Sequence, residues 1–177
     1  MKVNTPRLAA LAGCLCAIIA CAAAHKASAQ LPFLGGPSAI DAGIFLPTSG
    51  AAKTKGGSTQ LSLDARFALP SVPLTPTRTV LGVGVETGAH DGMHSTVVPV
   101  TIAEYVGNGN LSPLKPSVPY FGIGIGPYFE NQSGLSVSTK LGGFAAVGYN
   151  FSLVFLEAKY QLVTNADGFT VNLGMRF

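Results

Sequence analysis

The chain has no tryptophan, few charges and no cysteine beyond position 21. Because Cys14, Cys16 and Cys21 all lie in the opening stretch, removal of that stretch would leave neither a disulfide framework nor thiol chemistry. Charged residues are only 11% of 177 positions, and the formal charge of +3 reflects Lys2, Arg7 and Lys26. From position 30 onward eight basic residues balance eight acidic ones. Those cations are scattered from Lys53 to Arg176, which excludes the dense basic footprint a nucleic-acid backbone requires. After Ala24 no apolar run approaches the roughly 18 residues of a membrane helix, and no helical repeat or heptad period is present. What is abundant is glycine and proline, 22 and 12 residues, in a chain that is 47% hydrophobic. That composition is too apolar for disorder and too rich in turn formers for a helical bundle, so a single all-β domain is expected.

The opening stretch is built for export. Lys2 and Arg7 precede an apolar run from Leu8 to Ala24, and Ala27-Ser28-Ala29 before Gln30 supplies the small-x-small end of a signal peptide. The expected organisation is a signal peptide over 1–29, a lead-in over 30–37 and one β domain over 38–177. A competing possibility is lipidation: Leu11-Ala12-Gly13-Cys14 and Ile18-Ile19-Ala20-Cys21 both have the form of a lipoprotein box, and acylation at Cys21 would tether the N-terminus to a membrane.

The end of the chain carries the clearest pattern. Phe169, Val171, Leu173, Met175 and Phe177 are apolar, and Thr170, Asn172, Gly174 and Arg176 between them are small or polar. This period of two describes a strand with one greasy face. Such a strand could edge a secreted β-sandwich, but it also has the roughly 9–11 residues of a transmembrane β-strand. The same alternation recurs upstream. Ile40 to Leu46, Leu61 to Leu69, Leu81 to Val85, Val97 to Val106, Phe121 to Phe129, Leu141 to Tyr149 and Leu156 to Leu162 complete a set of eight strands. In the fourth the facing stays open, because Pro99 and Glu104 favour different registers. The connectors are turn-rich, over 49–58, 70–76, 88–95, 107–117, 131–138, 150–152 and 164–168. An even strand count suits a closed antiparallel up-and-down barrel with both ends on the periplasmic side, although the second and fourth connectors are long for that side.

The segments Tyr120-Phe-Gly-Ile-Gly-Ile-Gly-Pro-Tyr128, Gly142-Gly-Phe-Ala-Ala-Val-Gly-Tyr149 and Phe155-Leu-Glu-Ala-Lys-Tyr160, with the terminal strand, resemble the small OmpA-like outer-membrane β-barrel family. The resemblance implies an eight-stranded antiparallel transmembrane barrel located in the cell outer membrane. It also implies that Phe169, Val171, Leu173, Met175 and Phe177 are the signal read by the barrel-assembly machinery. The chain stops at Phe177, so the peptidoglycan-binding domain of larger relatives is not expected.

With the aliphatic face toward lipid, Asp41, Asp64, Arg66, Glu86, Lys140, Glu157, Lys159 and Arg176 point inward, four of each sign. Each buried ion costs several kcal/mol unless paired, so an interlocking salt-bridge plug is expected, with Asp41 and Arg176 pairing where the first and last strands meet. Inward glycines such as Gly122, Gly124 and Gly126 make room for Tyr120, Tyr128, Phe144 and Phe155 and, lying along a strand, do not form a phosphate loop. His90-Asp91-Gly92-Met93-His94-Ser95 is the one cluster with catalytic residue types, and an outer-membrane lipid hydrolase is the function it would serve. Neither its spacing nor its setting suits a metal or a Ser-His-acid triad, so a solvated loop is expected. Tyr105, Tyr120, Tyr149 and Tyr160 are candidates for interfacial girdles. Three Asn-x-Ser matches, at Asn110, Asn131 and Asn150, are read as chance. Together these features describe a monomeric, non-enzymatic outer-membrane barrel without cofactor or metal, having a structural or surface-interaction role and at most minor permeability. The alternative is a carrier of a small apolar ligand, which would need a greasy interior and a polar exterior.

Overall fold

The computed structural model describes residues 38–69, 77–107 and 118–177. The signal-peptide and lipidation expectations, the lead-in, and most of the two long connectors fall outside the described residues. Eight strands follow in order: β1 Ala39–Pro47, β2 Gln60–Ala68, β3 Arg78–His90, β4 Met93–Gly107, β5 Val118–Gln132, β6 Ser138–Phe151, β7 Val154–Leu162 and β8 Gly168–Arg176. Each pairs antiparallel with its sequence neighbour, and β1 pairs with β8 from Ala39 opposite Arg176 to Pro47 opposite Gly168. Closure therefore removes the edge that an alternating terminal strand would otherwise expose.

Local chemistry fixes the hairpins. Asp91 and Gly92 take φ of 48° and 77°, the paired left-handed conformation that joins β3 to β4 without splaying them. A short connection through Ser152, at φ 69°, turns β6 into β7. The hairpins β1–β2, β3–β4, β5–β6 and β7–β8 share one end of the barrel; the described start and finish of the chain lie at the other. At the hairpin end β3 to β6 are the longer strands: Ser138–Gly142 run past the last residue of β7 with which β6 pairs. The connector over 49–58, read from sequence as turns, contains a helix, α1 (Gly50–Gly56), whose Ala52 is 1% exposed and whose carbonyl accepts from Gln60 Nε2 at 3.3 Å.

Alternation decides what faces where. The outer wall is apolar around the whole circumference, with Ile44, Leu61, Ile102, Ile123, Leu141, Leu162 and Leu173 all exposed. A soluble monomer rarely shows a contiguous apolar patch beyond a few hundred Å², whereas lipid as the surrounding solvent requires this wall. In β4 the odd-numbered residues Val97, Thr101, Ala103 and Tyr105 are buried, so Pro99 turns inward and Glu104 outward. Inside, aromatic rings occupy the space left by glycines: a Cβ at Gly122, Gly124, Gly148 or Gly174 would enter the ring of Tyr105, Phe144, Tyr120 or Phe155 respectively. The inward face of β7 summarises the interior, reading Phe155, Glu157, Lys159, Gln161, with Val163 next after the strand. Phe155 belongs to an apolar layer with Tyr105 and Tyr120, and Val163 to a second with Val97 and Tyr128. Between the two layers the lumen is polar.

Candidate functional site

The polar band is held by five strands. Arg66 of β2 forks onto Glu157 of β7, with Nη1 to Oε2 and Nη2 to Oε1 both at 2.8 Å. Its Nη2 also lies 2.7 Å from Asp41 Oδ2 on β1. Tyr120 of β5 donates its hydroxyl to Glu157 Oε2 at 2.9 Å. Lys159 Nζ reaches Asp64 Oδ2 at 2.7 Å, and Asn172 Nδ2 of β8 donates to both Asp41 Oδ1 and Asp64 Oδ2. Planar, bidentate pairing is what guanidinium and carboxylate geometry favours, and here it spans the lumen from wall to wall. Rings cover the cations. Arg66 lies over Tyr105 and Phe155 at 5.4 and 5.0 Å, and Lys159 over Phe144 at 5.6 Å.

Six of the eight charges expected in a plug lie within this band or beside it. Glu86, the sixth, forms no ion pair among the described residues; Gln161 Nε2 donates to its Oε2 at 2.7 Å. Lys140 stands apart, because it sits on the part of β6 that runs past β7, and it makes no ion pair among the described residues. The expected Asp41–Arg176 pair does not form. Opposite Asp41 on β8 stands Gly174, Arg176 is opposite Ala39, and the Arg176 guanidinium lies over Tyr120 and Phe155 at 5.3 and 5.2 Å. Arg66 takes the place on Asp41 that Arg176 was expected to fill. The band thus holds four acids, Asp41, Asp64, Glu86 and Glu157, against Arg66 and Lys159, and is not the balanced set the sequence suggested.

Little space remains. A cavity of about 30 Å³ opens beside Arg66, Arg78, Tyr105 and Arg176, and one of about 20 Å³ lies among Asp64, Lys159, Phe144 and Thr101. Each has room for one or two waters. The interior does not fit the carrier alternative, which needs an apolar lumen.

The His90–Ser95 segment forms the β3–β4 hairpin, and its groups diverge. His90 Nε2 is 3.2 Å from exposed Asp91, His94 Nδ1 is 2.7 Å from Ser133 Oγ, and Ser95 is buried on the opposite face of the strand. No Ser-His-acid triad results, and no cluster of three metal-ligating acid, histidine or cysteine residues occurs among the described residues. Of the candidate girdle tyrosines, Tyr105 and Tyr120 are internal; Tyr149 and Tyr160 lie on the outer wall, paired with Phe151 and Phe169 at 4.8 and 4.5 Å. Phe169, Val171, Leu173, Met175 and Phe177 all point outward. Sequence reading missed the neutral donors Tyr120, Gln161 and Asn172; their inward register beside acids was the available signal.

Neither a protein-family model nor a curated protein sequence matches the chain. Among solved structures, Neisserial surface protein A is similar at a TM-score of 0.56 and 15% identity, covering 78% of this chain and 94% of its own. The N-terminal β-barrel domain of Pseudomonas aeruginosa OprF aligns at a TM-score of 0.41 and 14% identity over 78% of this chain and 95% of that domain. The fold is that of the small eight-stranded outer-membrane barrels, as the resemblance in the sequence implied.

Proposed function

We propose that this chain is a non-enzymatic outer-membrane β-barrel with a structural or surface-interaction role and at most minor permeability. The observation that carries the reading is the Arg66–Glu157 fork with Asp41 and the Lys159–Asp64 pair, which bridge the lumen between β1, β2 and β7. An eight-stranded interior is only wide enough for side chains, so a crossed lumen leaves no continuous aqueous path. On the cell exterior the long β3–β4 and β5–β6 hairpins, with exposed Leu135 and Val137 at the tip of the second, provide the surface available to a partner. In this reading outer-membrane lipid surrounds a monomeric barrel, and Phe169, Val171, Leu173, Met175 and Phe177 engage the barrel-assembly machinery during insertion. The test is conductance across a planar bilayer carrying the refolded protein. The expected trace has no steady stepwise openings, and stable conductance steps would refute the closed-lumen role.

A further inference from the structure

Of the Asp, Glu, Lys and Arg side chains carried by the described strands, Glu104 alone stands on the lipid-facing wall. Its orientation is enforced. Turning it inward would reverse β4 and carry Tyr105, which underlies the Arg66 guanidinium, out to the exterior. Thr79 Oγ1, directly opposite on β3, donates to Glu104 Oε1, while Oε2 is shielded from solvent and has no hydrogen-bond partner among the described residues. A buried acceptor without a donor costs about 1–3 kcal/mol and more when charged, so this oxygen gains from a donor brought from outside the chain. Depth narrows the candidates. Glu104 lies three residues before β4 ends at Gly107, and Thr79 is the second residue of β3. At about 3.3 Å per residue along a tilted strand, the carboxylate is within about 10 Å of the terminal rim, where headgroups meet acyl chains. Exposed Ile102, Val106 and Ile123 surround it.

We propose that Glu104 and Thr79 form a phospholipid site on the outer wall, taking the primary ammonium of an ethanolamine headgroup. The inference rests on the membrane-barrel reading. A primary ammonium carries three N–H donors and the charge opposite to the carboxylate, and the soft terminal torsion of Glu104 lets Oε2 swing to meet it. A choline headgroup has no N–H to give, and a glycerol phosphate headgroup is repelled. The surrounding aliphatics fit the start of the acyl chains.

The full chain, refolded in detergent and supplied separately with dioleoyl phosphatidylethanolamine, phosphatidylcholine or phosphatidylglycerol, would be examined by native mass spectrometry alongside Glu104→Gln and Thr79→Val. One charge-assisted hydrogen bond predicts retention of the ethanolamine lipid about tenfold over the other two. Glu104→Gln is expected to abolish that preference and Thr79→Val to reduce it, with choline lipid retention unchanged and glycerol lipid retention rising only where Glu104→Gln removes the repelling charge. Equal retention of all three lipids, or an ethanolamine preference that survives Glu104→Gln, overturns the proposal. A Glu104-dependent doubling of mass also overturns it, in favour of a second copy. Heat-dependent electrophoretic mobility of every variant separates this failure from failure of the barrel reading: a folded barrel without the preference defeats only the lipid site, and loss of the barrel signature in the wild type defeats both.

Discussion

Asp41 and Asp64 stand directly opposite each other across the β1–β2 register, two like charges joined by the single amide of Asn172. Like charges facing across a ladder repel, so this pair depends on its shared donor and on Arg66 and Lys159 beyond it. Asn172→Leu keeps the bulk and removes the donor. We expect it to destabilise the barrel by about 2–4 kcal/mol, the cost of leaving buried charged acceptors unsatisfied. Urea unfolding in detergent micelles reads this as a lower midpoint; a change below about 0.5 kcal/mol would show that the amide is incidental.

Arg66, and not Arg176, is the partner of Asp41, and double-mutant cycles distinguish the two. Removing Arg66 strands Glu157 and Asp41 together, so Arg66→Met should cost about 3–5 kcal/mol, with strong coupling to Asp41→Asn. The cycle between Asp41→Asn and Arg176→Met should couple by less than about 0.5 kcal/mol, as for residues that share no contact. A larger second coupling would restore the pairing expected from the sequence.

The glycines of the inner wall serve the rings. At Gly148 a Cβ would enter the Tyr120 ring, whose hydroxyl is held by Glu157, so the ring cannot move aside without cost. Gly148→Ala is expected to lose about 1–3 kcal/mol through overpacking. Gly50→Ala, where nothing lies within 4 Å, is expected to be neutral in the same unfolding assay.

The outward face of β8 should matter for assembly more than for the finished barrel. Phe177→Ser removes one ring that is half exposed at the end of β8. Cells carrying it should show less protein inserted in the outer membrane, while refolding of the purified chain into detergent stays at wild-type yield. Equal loss in both would make Phe177 a stability residue and not part of an assembly signal.

Strand number, facing and closure were legible because the period of two is written in long apolar side chains, and lipid demands that face be greasy throughout. The fourth strand resisted because Pro99 and Glu104 contradict each other by rule; the burial of Val97, Ala103 and Tyr105 settles it, and that is a tertiary fact. Ala51 and Ala52 favour helix but are too few to signal α1 among glycines and lysines. The partners inside the lumen were not legible. Alternation says that a side chain points inward, but not which of several strands its tip will reach; the sequence pointed to Arg176 for Asp41, and Arg66, which like Arg176 stands opposite Ala39, is the one that reaches it. Glycine on β8 opposite Asp41, and two rings beneath Arg176, decide between them.

Membrane fractionation followed by electrophoresis of unboiled and boiled samples tests the barrel most directly. The expected result is recovery in the outer-membrane fraction with a mobility that changes on boiling, as a closed barrel held by its full ladder resists the electrophoresis detergent until it is heated. Recovery as a soluble protein with no heat-dependent shift would contradict it.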